Sequence, residues 1–187
     1  MENTIDTIYD RRSVRKYLDK PVNPDLVDEI LRAGMFAPSG CNKQPWHFVV
    51  FDEKQLVLEI ESMHPYASAL ATAPVCIMVC GDTQKEMAKG FYQVDCSAAI
   101  ENMLLAARAL GLDTCWMGVY PWEEVMEKFS KRFDLPSHVE PFALISLGYA
   151  QSRQERPKRY DSSSILAHKS TGRRIGTEIY IAVLEYF

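Results

Sequence analysis

Apolar residues at positions 26, 27, 30, 31 and 34 recur at intervals of three and four, so the chain from Pro24 to about Ala37 is predicted to be a helix with one buried face. Asn23 stands where an N-cap belongs, Pro24 occupies the first helical position, and Pro38 forces the helix to stop. Two stretches have a different pattern. "WHFVVFD" at 46–52 and "APVCIMVCGD" at 73–82 are short continuous apolar runs rich in aromatic and β-branched residues, which predicts strands covered on both faces. Between them, "EKQLVLEIESM" reads as a helix. "VDCSAAIENMLLAARALGL" at 94–112 carries small or apolar residues on nearly every side and ends at Gly111, a helix terminator, so this helix is expected at the centre of the fold or in a subunit interface. "DTCWMGV" follows as a strand or loop, "WEEVMEKFSKRF" as an amphipathic helix and "PFALISLGYA" as a further buried strand.

This succession predicts a mixed domain of helices and strands, without internal repeats or a separating linker. From "QSRQERPKRYDSSS" onward the chain is polar, and it then closes on the apolar "IGTEIYIAVLEYF", a tail that needs a cover. One domain over 1–187, with a C-terminal arm from roughly 161 to 187, is the expected organisation.

Composition narrows the partners. The chain has 187 residues, 47% hydrophobic and 25% charged, with a net charge of -4, so it can build a core and would be repelled overall by nucleic acid or an anionic membrane. No apolar run reaches the ~20 residues of a membrane helix, and the N-terminus lacks a signal core, which places the protein in the cytoplasm as an expectation. Five cysteines, an odd number without disulfide-framework spacing, read as reduced and mostly buried.

Against this acidic background "DRRSVRKYLDK" gathers Arg11, Arg12, Arg15 and Lys16 around Ser13. Guanidinium forks and a hydroxyl suit phosphate oxygens, and the competing reading is a solvated helix end. "APSGCNKQPW" offers Ser39, Gly40, Asn42 and Gln44 after a helix-ending proline, polar groups able to meet a planar ring edge, or an ordinary turn. In "GLDTCWMGVYPW", Gly118 lets backbone approach a flat ligand while Trp116 and Met117 supply apolar contact; alternatively it is a strand leaving the core. His47, His64, His138 and His168 show no ligand spacing, and the chain has no C-x-x-C pair, phosphate-binding glycine loop or nucleophile elbow. The missing nucleophile points to cofactor chemistry in which no side chain is itself catalytic.

In this order, "RRSVRKY", "APSGCNKQPWHFVV" and "GLDTCWMGVYP" resemble the three signatures of the nitroreductase family of flavoproteins, a likeness spanning roughly residues 5 to 160. The resemblance implies an α+β fold with a central, mostly antiparallel sheet flanked by helices, and an intertwined homodimer with a C-terminal arm. It implies bound FMN, with Arg11, Arg12, Ser13 and Arg15 at its phosphate and ribityl chain and a late basic residue, Arg159 or its neighbour Lys158, closing on the same phosphate. Pro38, Ser39, Gly40 and Asn42, with Gln44 in the same loop, would reach the flavin of the other subunit, and Met117, Gly118 and Val119 would lie beside the reactive N5 edge. The implied reaction takes hydride from NADH or NADPH and passes it to a small planar acceptor such as a nitroaromatic or quinone by ping-pong chemistry. Dehalogenation, enal reduction, and a storage or redox-sensing role with little turnover are the alternatives. Trp46, Tyr66, Tyr92 and Tyr120 are candidates to line the open face. The sequence departs from the family pattern at Gly40, where many relatives carry a second serine, and in the tail after "YDSSSILAH".

Overall fold

The computed structural model describes residues 3–165. Strands β1 (Trp46–Phe51), β2 (Val75–Asp82), β3 (Asp113–Gly118) and β4 (Val139–Gly148) form one sheet in the order β1-β2-β4-β3, with every neighbouring pair antiparallel. Helices α1 (Thr4–Asp10), α2 (Pro24–Met35), α3 (Lys54–Met63), α4 (Tyr92–Ala109) and α5 (Glu123–Arg132) complete the α+β fold expected above. The expected arm falls almost wholly outside the described residues.

The continuous apolar runs are explained by the layering. β2 is buried at every position: Val75, Ile77 and Val79 pack with α2 and α4, while Cys76, Met78 and Cys80 pack with α3, α5 and the 3₁₀ turn at Ser68–Ala71. Burial pushes the Cys80 and Cys96 thiols up to about 12 and raises Cys76 as well; all five cysteines are free. α2 begins as its sequence predicts, Asn23 accepting a 3.0 Å hydrogen bond from the Asp25 amide with Pro24 behind it. α4 ends in two backbone bonds, Gly111 N–H to Arg108 O (3.1 Å) and Leu112 N–H to Ala107 O (2.9 Å). This turn puts Gly111 at φ 79°, where a side chain would be strained.

Two features lie outside the sequence reading. α1 is only seven residues long and leaves Ile5, Ile8 and Tyr9 exposed, so it has no inward apolar stripe to detect. β4 bulges: Val79 faces Ala143 but Cys80 faces Pro141, which leaves Phe142 without a partner on β2. The chain up to Glu155 forms one compact unit; the stretch from Arg156 belongs to a second, whose described part has a 3₁₀ turn at Ser162–Ser164 capped by Asp161.

Candidate functional site

The basic segment begins at the C-cap of α1, Arg11, and continues as a non-helical strip that meets the outer edge of β3 at Thr114 and then pairs with Tyr149–Gln151 just after β4. Ser13 bridges Thr114 in parallel, and the Val14 amide donates to the Thr114 carbonyl at 2.8 Å. Tyr17 fastens the strip from beneath, its buried hydroxyl 2.7 Å from both the Val14 carbonyl and Ser146 Oγ. Desolvation holds that phenol far above its ordinary range, so it stays a neutral hydrogen-bonding group.

The cations of the strip divide. Arg12 is buried, with Nη1 donating to the Tyr9 (2.7 Å) and Arg11 (2.6 Å) carbonyls and Nε to the Glu155 carbonyl (3.2 Å), so it braces the fold. Arg15 is exposed, Nη1 reaching the Ser13 carbonyl at 3.2 Å, and Arg11 pairs with Glu101 at 3.3 Å. Burial raises the Cys115 thiol, while the fields of Arg15 and Arg11 pull it down. The Arg11–Glu101 pair is half open to solvent at the carboxylate, so an incoming anion can compete for the guanidinium.

Strand register decides which backbone amides of the third segment are available. Gly118 faces Ala143, and the Val119 amide donates to the Phe142 carbonyl at 3.0 Å; this pattern makes Gly118–Ala143 a non-hydrogen-bonded pair. The polar groups of Thr114, Trp116 and Gly118 therefore point away from β4, toward the side occupied by the basic strip. The bulged Phe142 carbonyl also accepts from Tyr120 (2.9 Å), so the amides of Val119 and Tyr120 are both used internally and Gly118 carries the outward donor. Met117 and Val119 are buried, Met117 within the core between the sheet and α3 and α5. Four residues at about 3.4 Å per residue separate Thr114, where Ser13 bridges the strand, from Gly118, so these two points lie ~14 Å apart along one edge.

Beside Gly118 sits a residue the sequence reading passed over. His64, buried at the end of α3, lies 2.7 Å from the Gly118 carbonyl through Nε2, while its Nδ1 accepts from the Tyr66 amide at 3.1 Å. Its ring packs against Trp122 and Tyr66, whose own rings are 5.0 Å apart and exposed. The 54 residues between His64 and Gly118 leave no local signal for this contact. Of the aromatic candidates, Tyr66 and Tyr120 are exposed near this edge. Trp46 and Tyr92 are core residues, Tyr92 donating to the Glu140 carboxylate, because strand β1 and the start of α4 turn them inward.

The loop at 38–44 lies at the opposite end of the strand order. It leads directly into β1 and is tied to α4 by the Gly40 amide, which donates to Asp95 Oδ1 at 2.9 Å. Ser39 Oγ accepts from the Gln44 amide (3.0 Å), and Gln44 Nε2 donates to Asn42 Oδ1 (3.3 Å). Cys41, Asn42 and Gln44 all have positive φ, 50°, 54° and 49°, a strained loop that holds Asn42 and Gln44 at the surface with Pro38. A Cβ on Gly40 would lie 2.8 Å from the Phe91 ring, so the packing here favours glycine over a larger residue. Arg159 and Lys158 are exposed in the second unit. No cluster of histidine, cysteine or carboxylates among the described residues could hold a metal ion, and no described helix is long and apolar enough to cross a membrane.

The chain matches the model of the Nitroreductase family over residues 8–65 and 52–149. It is 41% identical over 167 residues to a protein of Methanothermobacter thermautotrophicus provisionally named NADH dehydrogenase/NAD(P)H nitroreductase, covering 89% of this chain and 87% of that one. Among solved structures, one from Clostridium acetobutylicum provisionally named NADH oxidase superposes with a TM-score of 0.83 at 35% identity, over 88% of this chain and 99% of that chain. Another, a provisionally named nitroreductase from Desulfovibrio desulfuricans in complex with FMN, gives 0.75 at 30% identity over 90% and 98%.

Proposed function

The chain belongs to the nitroreductase family, and from that premise we propose that it is an NAD(P)H-dependent oxidoreductase that binds FMN along the outer edge of β3 and passes hydride to a small planar acceptor. The observation that carries this reading is that one strand edge bears both the outward backbone N–H of Gly118 and, at Thr114, the bridge to Ser13, the residue flanked by the cations Arg11, Arg12 and Arg15. That edge suits the cofactor chemically, with cations and the Ser13 hydroxyl for a phosphate, and an amide and exposed aromatic rings for a flat polar ring. When bound, FMN supplies hydride acceptance and donation at N5.

The protein's own contribution is positional and electrostatic. Arg11 and Arg15 hold the phosphate, Arg11 leaving Glu101 to do so, and Arg12 keeps the strip rigid from within. Gly118 N–H donates to the ring edge and stabilises negative charge there. Tyr66, Tyr120 and Trp122 border the open face, which donor and acceptor occupy in turn, a ping-pong order.

The loop at 38–44 completes the site of a second copy. Its position beyond the far edge of the sheet, across three strand spacings of roughly 4.8 Å, separates it from the β3 edge of its own chain. The exposed apolar side chains Ile5, Ile8 and Tyr9 on α1, Val94 on α4 and Phe36, 82% exposed after α2, offer the apolar surface that a two-fold pairing would bury.

Purified protein is tested by its visible spectrum and by anaerobic addition of NADH and NADPH. Releasable FMN that bleaches with either nucleotide supports the reading; protein that cannot be loaded with FMN overturns it, and loaded protein reduced only slowly favours a sensing or storage role. A mixture of Arg11→Ala/Arg15→Ala chains with Gly40→Trp chains tests the shared site. Exchange of subunits should restore one working site per mixed pair, and no recovery overturns the shared arrangement.

A further inference from the structure

We propose that His64 is a positioning residue that aims the Gly118 amide at the flavin ring edge. The proposal rests on the reading that Gly118 meets the flavin, and its test separates the two. His64 is fixed before it touches Gly118. It closes α3, its amide donating to the Glu61 carbonyl at 3.3 Å and its carbonyl accepting from Ala67 at 3.1 Å, and the residue is 3% exposed. The tautomer follows from the partners: the Tyr66 N–H can only donate, so Nδ1 bears the lone pair, and the Gly118 carbonyl can only accept, so Nε2 bears the proton. One neutral tautomer satisfies both bonds.

Gly118 needs such an anchor. It is the last residue of β3, lacks a side chain to lock its dihedral angles, and its own N–H and C=O face away from β4. The peptide that follows it is clamped at both ends, with its carbonyl on His64 and its N–H, that of Val119, on Phe142. Because the carbonyl and amide of one strand residue point the same way, fixing the carbonyl toward α3 also fixes the direction of the Gly118 N–H. The bulge at Phe142 and the end of α3 thus converge on a single residue at the ring edge.

The test compares His64→Asn with His64→Gln. Asparagine keeps an acceptor at the place of Nδ1 for the Tyr66 amide but cannot reach Gly118; glutamine carries an N–H to about the reach of Nε2. In apoprotein, amide hydrogen exchange at Val119 should accelerate at least tenfold in His64→Asn and return toward wild type in His64→Gln. In FMN-loaded protein, His64→Asn should shift the flavin absorption bands and slow reduction by NADH about tenfold, with FMN affinity changed less than threefold because the phosphate cations are untouched. His64→Gln should recover both. Unchanged exchange and spectrum in folded His64→Asn, or no recovery in folded His64→Gln, overturns the proposal. His64→Phe, which fills the same space, replaces the asparagine variant in the same comparison if that chain does not fold. If wild-type protein takes up no FMN, the functional reading fails, and the exchange comparison alone decides whether His64 anchors Gly118.

Discussion

Replacing Tyr17 by phenylalanine removes one oxygen from the point where the basic strip is fastened to the sheet. Tyr17 is 1% exposed and Ser146 0%, so the groups left behind cannot turn to water. The hydroxyl makes two 2.7 Å contacts, with the Val14 carbonyl and with Ser146 Oγ, and both lose their partner. A buried polar group left unsatisfied costs about 1–3 kcal/mol. Ser146 retains an alternative acceptor in the Cys115 carbonyl at 3.5 Å, which softens its share, while the Val14 carbonyl has no such recourse on this side. We therefore expect a net loss of about 2–3 kcal/mol, and for a chain of this length each kcal/mol moves the melting temperature by roughly 2–4 °C, so the midpoint should fall by about 4–12 °C. Calorimetry or circular dichroism on the apoprotein measures it, with Ser146→Ala and the double variant closing a cycle whose coupling should be about 1–2 kcal/mol. A fall below about 1 °C, or strictly additive single effects, would refute the argument that this hydroxyl pair secures the strip.

Alkaline pH should destabilise the fold through its buried thiols. Cys76, Cys80 and Cys96 are all raised by burial, so each binds its proton more tightly folded than unfolded; their contribution is intact below the ordinary thiol range near 8.5 and is lost as pH rises from there toward about 12. Urea midpoints measured from pH 7 to 10 should fall above pH 8.5, and a flat profile would contradict this burial. Arg11→Ala should weaken FMN binding about tenfold in a fluorescence titration with little change in melting, whereas Arg12→Ala, which removes a buried guanidinium bonded to three carbonyls, should lower stability by about 2–4 kcal/mol. Equal effects of the two on binding and melting would show that they do not divide as described. Gly40→Ser should cost about 1–3 kcal/mol through collision with Phe91, and Phe91→Ala should relieve part of that cost in the double variant, as thermal melts would show.

Local chemistry made much of this protein legible before any coordinates. Proline, asparagine and glycine at helix ends, and the contrast between periodic and continuous apolar runs, reveal α2, α4, β1, β2 and β4, because capping and burial on both faces act through neighbouring residues. The three signature segments could be read for the same reason, each being a contiguous arrangement of cations, small residues or turn formers. The sequence alone did not separate Arg11 and Arg15 from Arg12, since carbonyls that absorb the Arg12 guanidinium include Glu155, far along the chain. Nor did it single out Gly118 over Val119 as the outward donor, because that depends on pairing register and on a bulge in β4, a strand more than twenty residues away. His64 was invisible as a functional residue, its two partners being a neighbouring amide and a carbonyl 54 positions on. The sequence determined most of the elements, α1 excepted, and through its signature segments the family's cofactor; strand order and register alone decided which backbone polar groups are left facing outward, because a hydrogen bond's direction is set by the partner strand and not by the residue that offers it.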